Sequence, residues 1–334
     1  GKSPKRYSFV EIFFFMFRRF LVGIVFISLV VGCRYSPQTG GEGKLTIATL
    51  KGPSSMGMIR LIDSLSRGEG HTIQFKILNE PIQVRKMMLD GTADFAILPT
   101  TMAVIVYNKG LNYRLIAIPG WGGMYLFGSD TSVTRWDQLR GKRVYVIAKG
   151  MTPDVLFRYL LQKHGIDPEK DITLDYSFPT HIDLANAVAA GQAPLGVIAE
   201  PMVSLVTQRN NSVKVIFDLS EEWVTFQGAP MAVTAFMAKR EVIQNNQLVV
   251  QNLMKSYESS VNWVNQNPDS AARLIVKYDI LPDYGVAINA IPRAGLKFVR
   301  AKEVKKQVED YLNVFYRMNP DIIGGKLPDE DFYY

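Results

Sequence analysis

Gly43-Lys44, six further residues and Lys51-Gly52-Pro53-Ser54 return later in the chain as Gly141-Lys142, six residues and Lys149-Gly150-Met151-Thr152, 98 positions on. A second pair follows in the same order. Gly91-Thr92-Ala93-Asp94-Phe95-Ala96-Ile97-Leu98 is echoed 100 positions on by Gly191-Gln192-Ala193-Pro194-Leu195-Gly196-Val197-Ile198. Motifs repeated in order at nearly constant spacing predict two lobes of one topology. Chance likeness between generic strand–loop–helix units is the alternative, and Pro194, opposite Asp94, is where the echo departs. The register makes Ser54 equivalent to Thr152, and Thr100 equivalent to Glu200.

Outward from the repeat, strand-like and helix-like stretches alternate. Leu45–Leu50, Thr72–Leu78, Ala93–Leu98, Arg143–Ala148, Ile172–Tyr176, Leu195–Ala199 and Val213–Leu219 are short runs rich in β-formers. Between them, Met58, Leu61, Ile62 and Leu65 form a helical stripe. Another helix opens at Asn79-Glu80-Pro81 and closes at Gly91. This alternation predicts an α/β fold with a parallel-rich sheet. In the last third, helices around Leu248–Asn265, after Pro268, and through Val304, Val308, Tyr311, Leu312 and Phe315 are expected to pack back onto an existing sheet.

In an open α/β sheet, ligands sit beyond the carboxyl ends of the strands, where the following helices begin with unpaired N–H groups. Ser54-Ser55, Thr100-Thr101 and Thr152 are hydroxyl residues at such helix starts, with Pro53 and Met151 beside them. Each hydroxyl alone would suit an N-cap; three starts from two matched lobes point to a shared cleft. Glu200, after the apolar run Leu195–Ala199, needs a donor if buried. Arg158 or a backbone N–H would supply one, and a ligand amine is the alternative. Trp121, within Gly120-Trp121-Gly122-Gly123, and Phe226 lie near expected crossovers, suited to stacking on a ligand or to packing.

The chain has 334 residues and a formal charge of +7, with 47% apolar residues, one cysteine and three histidines. That apolar share excludes wholesale disorder. A single cysteine excludes a disulfide framework and any Cys-rich metal centre. The basic charge raises nucleic acid or membrane as partners, but its distribution removes the first. Lys2, Lys5, Arg6, Arg18 and Arg19 precede an apolar run from Phe20 to Gly32, and with Glu11 they account for +4, leaving +3 for the rest. The run is short for a spanning helix and fits a secretory signal. It ends in Val30-Val31-Gly32-Cys33, which resembles a bacterial lipobox whose cysteine receives lipid. A polar Gly/Pro-rich tether, 34–43, follows.

Several enzyme signatures are absent. Gly52-x4-Gly57 has Walker spacing, but Met58-Ile59 replaces the Lys-Ser/Thr that reaches phosphate and magnesium. Ser54 lacks the second glycine of a nucleophile elbow, Met56 standing two residues on. His71, His164 and His181 are scattered, and His164 before Gly165 reads as a solvated cation at a helix C-terminus. No catalytic residue, metal ligand or cofactor site is assigned.

The lipobox, Lys44–Met56, Gly91-Thr92-Ala93-Asp94-Phe95-Ala96, Leu139-Arg140-Gly141-Lys142-Arg143-Val144 and Glu200-Pro201 together resemble a solute-binding lipoprotein of an ABC importer. Within that family the chain looks most like the nitrate/sulfonate/taurine and thiamine-pyrimidine-precursor binding group. The resemblance implies the two-lobed, type II periplasmic binding protein-like α/β fold, with two crossovers and a ligand cleft between lobes. Carried over by position, ligand contacts would come from Pro53, Ser54, Ser55, Thr100, Thr101, Met151, Thr152 and Glu200. Expected boundaries are 1–33 for the signal peptide, 44–128 plus 225–334 for lobe one and 129–224 for lobe two, hinged at Gly128-Ser129-Asp130 and Gln227–Pro230. Expected partners are an ABC permease, the membrane through lipid on Cys33 in the extracytoplasmic bacterial envelope, and a small polar molecule. Helix starts favour an anion or polar heterocycle, and an unpaired Glu200 an amine, so an amine-bearing heterocycle or aminosulfonate is favoured. A ligand sensor is the alternative. A secreted enzyme on this fold is less favoured, since its pyrimidine-precursor synthases imply a Cys-rich iron motif and Cys33 is the only cysteine.

Overall fold

The computed structural model describes residues 44–68 and 72–334. The signal segment, Cys33 and the tether lie outside the described residues, as does His71. β1 (Leu45–Leu50) leads through α1 (Pro53–Gly57) and α2 (Ile59–Ser66) to β2 (Ile73–Leu78), then through α3 (Pro81–Leu89) to β3 (Phe95–Pro99). α4 (Thr100–Asn108) and β4 (Tyr113–Gly120) follow. The chain then crosses to β5 (Met124–Gly128), β6 (Arg143–Val146), α5 (Thr152–Lys163), β7 (Thr173–Asp175), α6 (His181–Ala189) and β8 (Leu195–Ala199). α7 (Met202–Arg209), β9 (Lys214–Asp218) and α8 (Leu219–Gln227) complete that part. The return brings β10 (Thr234–Lys239), α9 (Arg240–Asn245), α10 (Gln247–Gln266), α11 (Pro268–Lys277), α12 (Tyr284–Ala290), β11 (Leu296–Arg300) and α13 (Ala301–Met318).

These strands form two sheets, ordered β11-β4-β10-β3-β1-β2 and β7-β6-β8-β5-β9. The repeat has become symmetry of pairing. β1 is parallel to β2 and β3, and β10 is antiparallel to β3 and β4. In the second sheet β6 is parallel to β7 and β8, and β5 is antiparallel to β8 and β9. Each lobe's inner antiparallel strand is therefore the one that enters it from the other lobe. This is the two-lobed α/β fold expected.

Pairing moves the expected boundary. β5 lies before residue 128, yet its Met124–Gly128 backbone pairs with β8 and β9, so the first crossover is Gly120–Gly123 rather than Gly128–Asp130. Gly128 is a packing residue: a Cβ there would lie 1.9 Å from the Pro194 carbonyl oxygen. The return comes slightly later than Thr225, because α8 continues to Gln227 and ends on Gly228 at φ 72°. The last third also contributes β10 and β11, which its helical reading did not include.

Burial follows the alternation of a strand covered on both faces. Ala48, Ala96, Leu98, Ala235 and Met237 feed one cluster, while Ile47, Phe95, Ile97, Phe236 and Ala238 feed the cluster on the other face. α13 joins the lobes from behind. Its Tyr311 meets Trp223 of α8 edge-on at 5.5 Å between ring centroids, and Phe315 packs on the same indole. The His164 side chain is packed rather than freely solvated. Its ring stacks on Trp136 at 4.3 Å, and Nε2 lies 2.9 Å from Glu222 Oε2.

Candidate functional site between the lobes

The carboxyl ends of β1, β3 and β8 face a common cleft, because the two matched sheets turn the same end toward each other. Its inner chamber, about 160 Å³, is lined by Leu50, Pro53, Ser54 and Pro99 from one lobe and by His181, Ala199, Glu200 and Pro201 from the other. An outer chamber of about 450 Å³ adjoins it, sharing Lys51, Asn79, His181, Pro201 and Met202 in its lining, and adds Glu80, Arg209 and Asp279. Gly52 carries the chain close to the opposite wall. Its φ is +156°, and a Cβ there would sit 3.5 Å from Pro201 Cδ.

Three of the expected contact residues line the inner chamber: Pro53, Ser54 and Glu200. The Ser54 hydroxyl accepts from Thr49 Oγ1 at 3.0 Å. Ser55 is a turn cap, with Oγ donating to the Leu50 carbonyl at 2.6 Å and accepting from Gly52 N–H at 3.2 Å. Thr100 donates its hydroxyl to Ala232 O at 2.5 Å. Thr101 and Thr152 hydrogen-bond to each other at 2.8 Å. Met151, ahead of α5, packs against the core, and its N–H donates to Ala148 O at 2.8 Å.

The two aromatics serve packing. Trp121 anchors the first crossover, donating from Nε1 to Lys297 O at 2.8 Å and from its backbone to Gly295 O at 2.9 Å. It lines a separate recess beside Ser220 and Met231. Phe226 stands edge-on to His164 at 5.2 Å. Neither lines the chambers between the lobes.

Glu200 is 3% exposed, and both its oxygens are occupied. Oε2 accepts from the Ser204 N–H at 3.1 Å and Oε1 from Ser204 Oγ at 3.0 Å, with Arg293 Nη1 at 3.8 Å. Burial outweighs these partners and pushes the carboxyl up to about 7. The expected donor Arg158 is committed elsewhere, to Asp154, Glu169 and Tyr176. An unpaired Glu200 calling for a ligand amine is therefore corrected: α7's first turn satisfies it.

Lys51, Asn79, His181, Met202 and Arg209 were not singled out from the sequence. Lys51 stood within the repeat, and His181 follows the Thr180 cap of α6 by one residue. Only the apposition of lobes distinguishes them from other surface residues. Lys51 pairs with Asp279 at 3.0 Å, and His181 Nδ1 lies 3.3 Å from Glu80 Oε2. Among the described residues no group of three or more His, Cys, Asp or Glu side chains is placed to hold a metal ion.

A cleft walled by the strand ends of two matched lobes suits capture of a small molecule, and comparison with known proteins agrees. The family model for "ABC transporter, phosphonate, periplasmic substrate-binding protein" matches residues 54–259, more than half of the chain. The chain belongs to this family. It is a family of substrate-binding proteins of transporters, working outside the cytoplasm.

A Parabacteroides distasonis ABC transporter structure superposes with a TM-score of 0.74 at 23% identity, covering 87% of this chain and 98% of that one. The aliphatic sulphonate binding protein SsuA of Escherichia coli gives 0.67 at 18% identity, covering 82% and 87%. The nitrate-binding protein NrtA of Synechocystis PCC 6803 gives 0.61 at 13%, covering 86% and 83%. At these identities the likeness is one of fold. The curated "Putative binding protein YtlA" of Bacillus subtilis is 27% identical over 181 residues, 53% of this chain and 52% of that protein. The match thus spans about half the length of that relative.

Proposed function

We propose that the protein captures a small polar solute between its lobes and delivers it to an ABC permease, anchored to the membrane on its extracytoplasmic side by lipid on Cys33. One observation carries this reading: the inner chamber lies at the carboxyl ends of β1, β3 and β8, so its walls come from both lobes. A ligand there touches both at once and is enclosed when they close. Of the expected ligand residues, Pro53, Ser54 and Glu200 form its wall, joined by Lys51, Asn79 and His181.

The lining narrows the solute class. Lys51, Asn79 and His181 offer donors suited to an oxyanion, and Glu80 and Asp279 at the outer chamber suit an amine, once a solute replaces the Lys51–Asp279 and His181–Glu80 pairs. An aminosulfonate or aminophosphonate has both ends. The amine-bearing heterocycle loses its main support because Glu200 is already paired.

Thermal-shift screening tests this directly, with taurine, 2-aminoethylphosphonate, methylphosphonate and an aminopyrimidine, followed by calorimetry. A ligand at a hundred times its Kd should stabilise the protein by about 2.7 kcal/mol. Met202→Trp, which adds bulk at a wall common to both chambers, should abolish that gain, with circular dichroism reporting the fold. Absence of binding by every compound, or chemical consumption of a hit, would overturn the reading.

A further inference from the structure

α7 and the start of α12 belong to opposite lobes, and both line the outer chamber of the cleft. Leu205 of α7 is 6% exposed and shares an apolar cluster with Val286 and Ala287 of α12. Three residues on, Gln208 lies on the same helix face. Its Nε2 donates to Asp283 Oδ1 at 3.0 Å. The same oxygen accepts from Val286 N–H at 2.9 Å and so caps α12. The Gln208 amide lies over Gly285. A Cβ there would sit 2.7 Å from Gln208 Oε1, 2.8 Å from Cδ and closer still to Nε2. Those are the three nearest atoms it would meet, and all belong to the opposite lobe.

Nothing in its own lobe asks for glycine at this position. Gly285 is the second residue of α12, and its backbone is not in the left-handed region. Alanine is the better helix former at such a site. The space a side chain would fill is taken by Gln208, and only while the lobes are together. We propose that Gly285, Gln208 and Asp283 form a latch that positions α7 against α12 in the closed form, with Gly285 as the seat of the Gln208 amide. The proposal rests on the reading of the cleft as a solute site that opens and closes. When the lobes part, Gln208 leaves Gly285, and a Cβ at 285 meets none of its atoms. When they close, a Cβ turns the amide aside, because the end of a glutamine side chain moves more easily than a helix. The bond to Asp283 is then lost, and with it one contact that holds α7 and α12 together around the solute. Asp283 keeps its capping bond to Val286 in either case, so the latch can open without unravelling α12.

Small-angle X-ray scattering on the full chain without added solute, fitted to open and closed forms, reads the closed-to-open ratio. Gly285→Ala should lower that ratio roughly two- to tenfold, the range of one hydrogen bond. Gln208→Ala should lower it by a similar factor. Adding Gly285→Ala to Gln208→Ala should lower it no further, because the amide it displaces is already gone. Urea denaturation should find that double variant at least as stable as Gln208→Ala alone, since only the helix preference for alanine remains. Unchanged ratios in both single variants, falls that add in the double variant, or a double variant less stable than Gln208→Ala would overturn the latch. Failure of the latch leaves the ligand-induced thermal shifts standing. Failure of the solute-binding reading removes those shifts and leaves the dependence of closure on Gly285 and Gln208 in place.

Discussion

Thr101 Oγ1 and Thr152 Oγ1 lie 2.8 Å apart in the closed interior, one at the start of α4 and the other at the start of α5. Both residues are buried, at 1% and 6% exposure, so neither hydroxyl has water as an easy substitute. The helix starts that the repeat marked as ligand contacts here bond lobe to lobe. Thr152→Val should leave the Thr101 hydroxyl without this partner and cost about 1–3 kcal/mol. Thr101→Val/Thr152→Val should cost less than the two single changes added together. Urea denaturation of all four proteins measures this coupling, and strict additivity would refute it.

Glu200 makes stability depend on pH in an unusual direction for a carboxylate. Its folded value is raised from 4.5 to about 7 by burial. Between those values the folded protein holds a proton that the unfolded chain releases. The associated stability is present at low pH and is lost as pH rises through about 7, a change on the order of 3 kcal/mol. Glu200→Gln retains an acceptor for Ser204 N–H and should flatten this component. Chemical denaturation at pH 5 and pH 8 should show the variant gaining on the wild type at pH 8. An equal pH response in both proteins would contradict the assignment.

Gly128 and Gly141 should respond to alanine for different reasons. At Gly128 a Cβ would sit 1.9 Å from Pro194 O, so β5 and β8 would have to separate. At Gly141 the space is open, and only φ +74° resists a side chain. Gly128→Ala should cost about 1–3 kcal/mol and disturb the second sheet. Gly141→Ala should cost about 1–2 kcal/mol without changing packing. Amide hydrogen exchange distinguishes them: faster exchange along β8 is expected in the first variant alone.

Trp223 links α8 to α13 and is 2% exposed, between Tyr159 at 5.4 Å and Tyr311 at 5.5 Å. Trp223→Ala should destabilise by about 3–5 kcal/mol. Because Tyr311 and Phe315 come from the other end of the chain, the loss should also expose α13 to proteolysis. Limited digestion that leaves α13 protected would argue against that bridging role.

Seven strands were legible as β-rich runs, and their repeat carried the two-lobe architecture. β4, β5, β10 and β11 were not recognised, since each borders a crossover or a helical segment and its partners are remote in sequence. β5 shows why: nothing local in Met124–Gly128 distinguishes pairing with β4's sheet from pairing with β8. Cleft residues divided in the same way. Pro53, Ser54 and Glu200 were visible because the repeat placed them after strands. Lys51, Asn79 and His181 became visible only once two lobes stood face to face.

Thr100 and Glu200 mark the limit of what the amino-acid order decides. The 100-residue register made them equivalent, and each stands just past the carboxyl end of its strand. Equivalent backbones are held equivalently: Thr100 N–H donates to Val233 O, and Glu200 N–H donates to Gly123 O, each just before the crossing strand. Their side chains part ways. Thr100 turns to Ala232 O, while Glu200 is held by Ser204 and lines the cleft. Periodicity and spacing determined seven of the eleven strands among the described residues, and the doubled topology, because those depend on neighbours close in the chain. Which hydroxyl lines the cleft and which meets the opposite lobe were decided by tertiary structure. Thr101 meets Thr152, 51 positions on, and Thr100 meets Ala232, 132 positions on, so those partnerships exist only once the lobes are folded together.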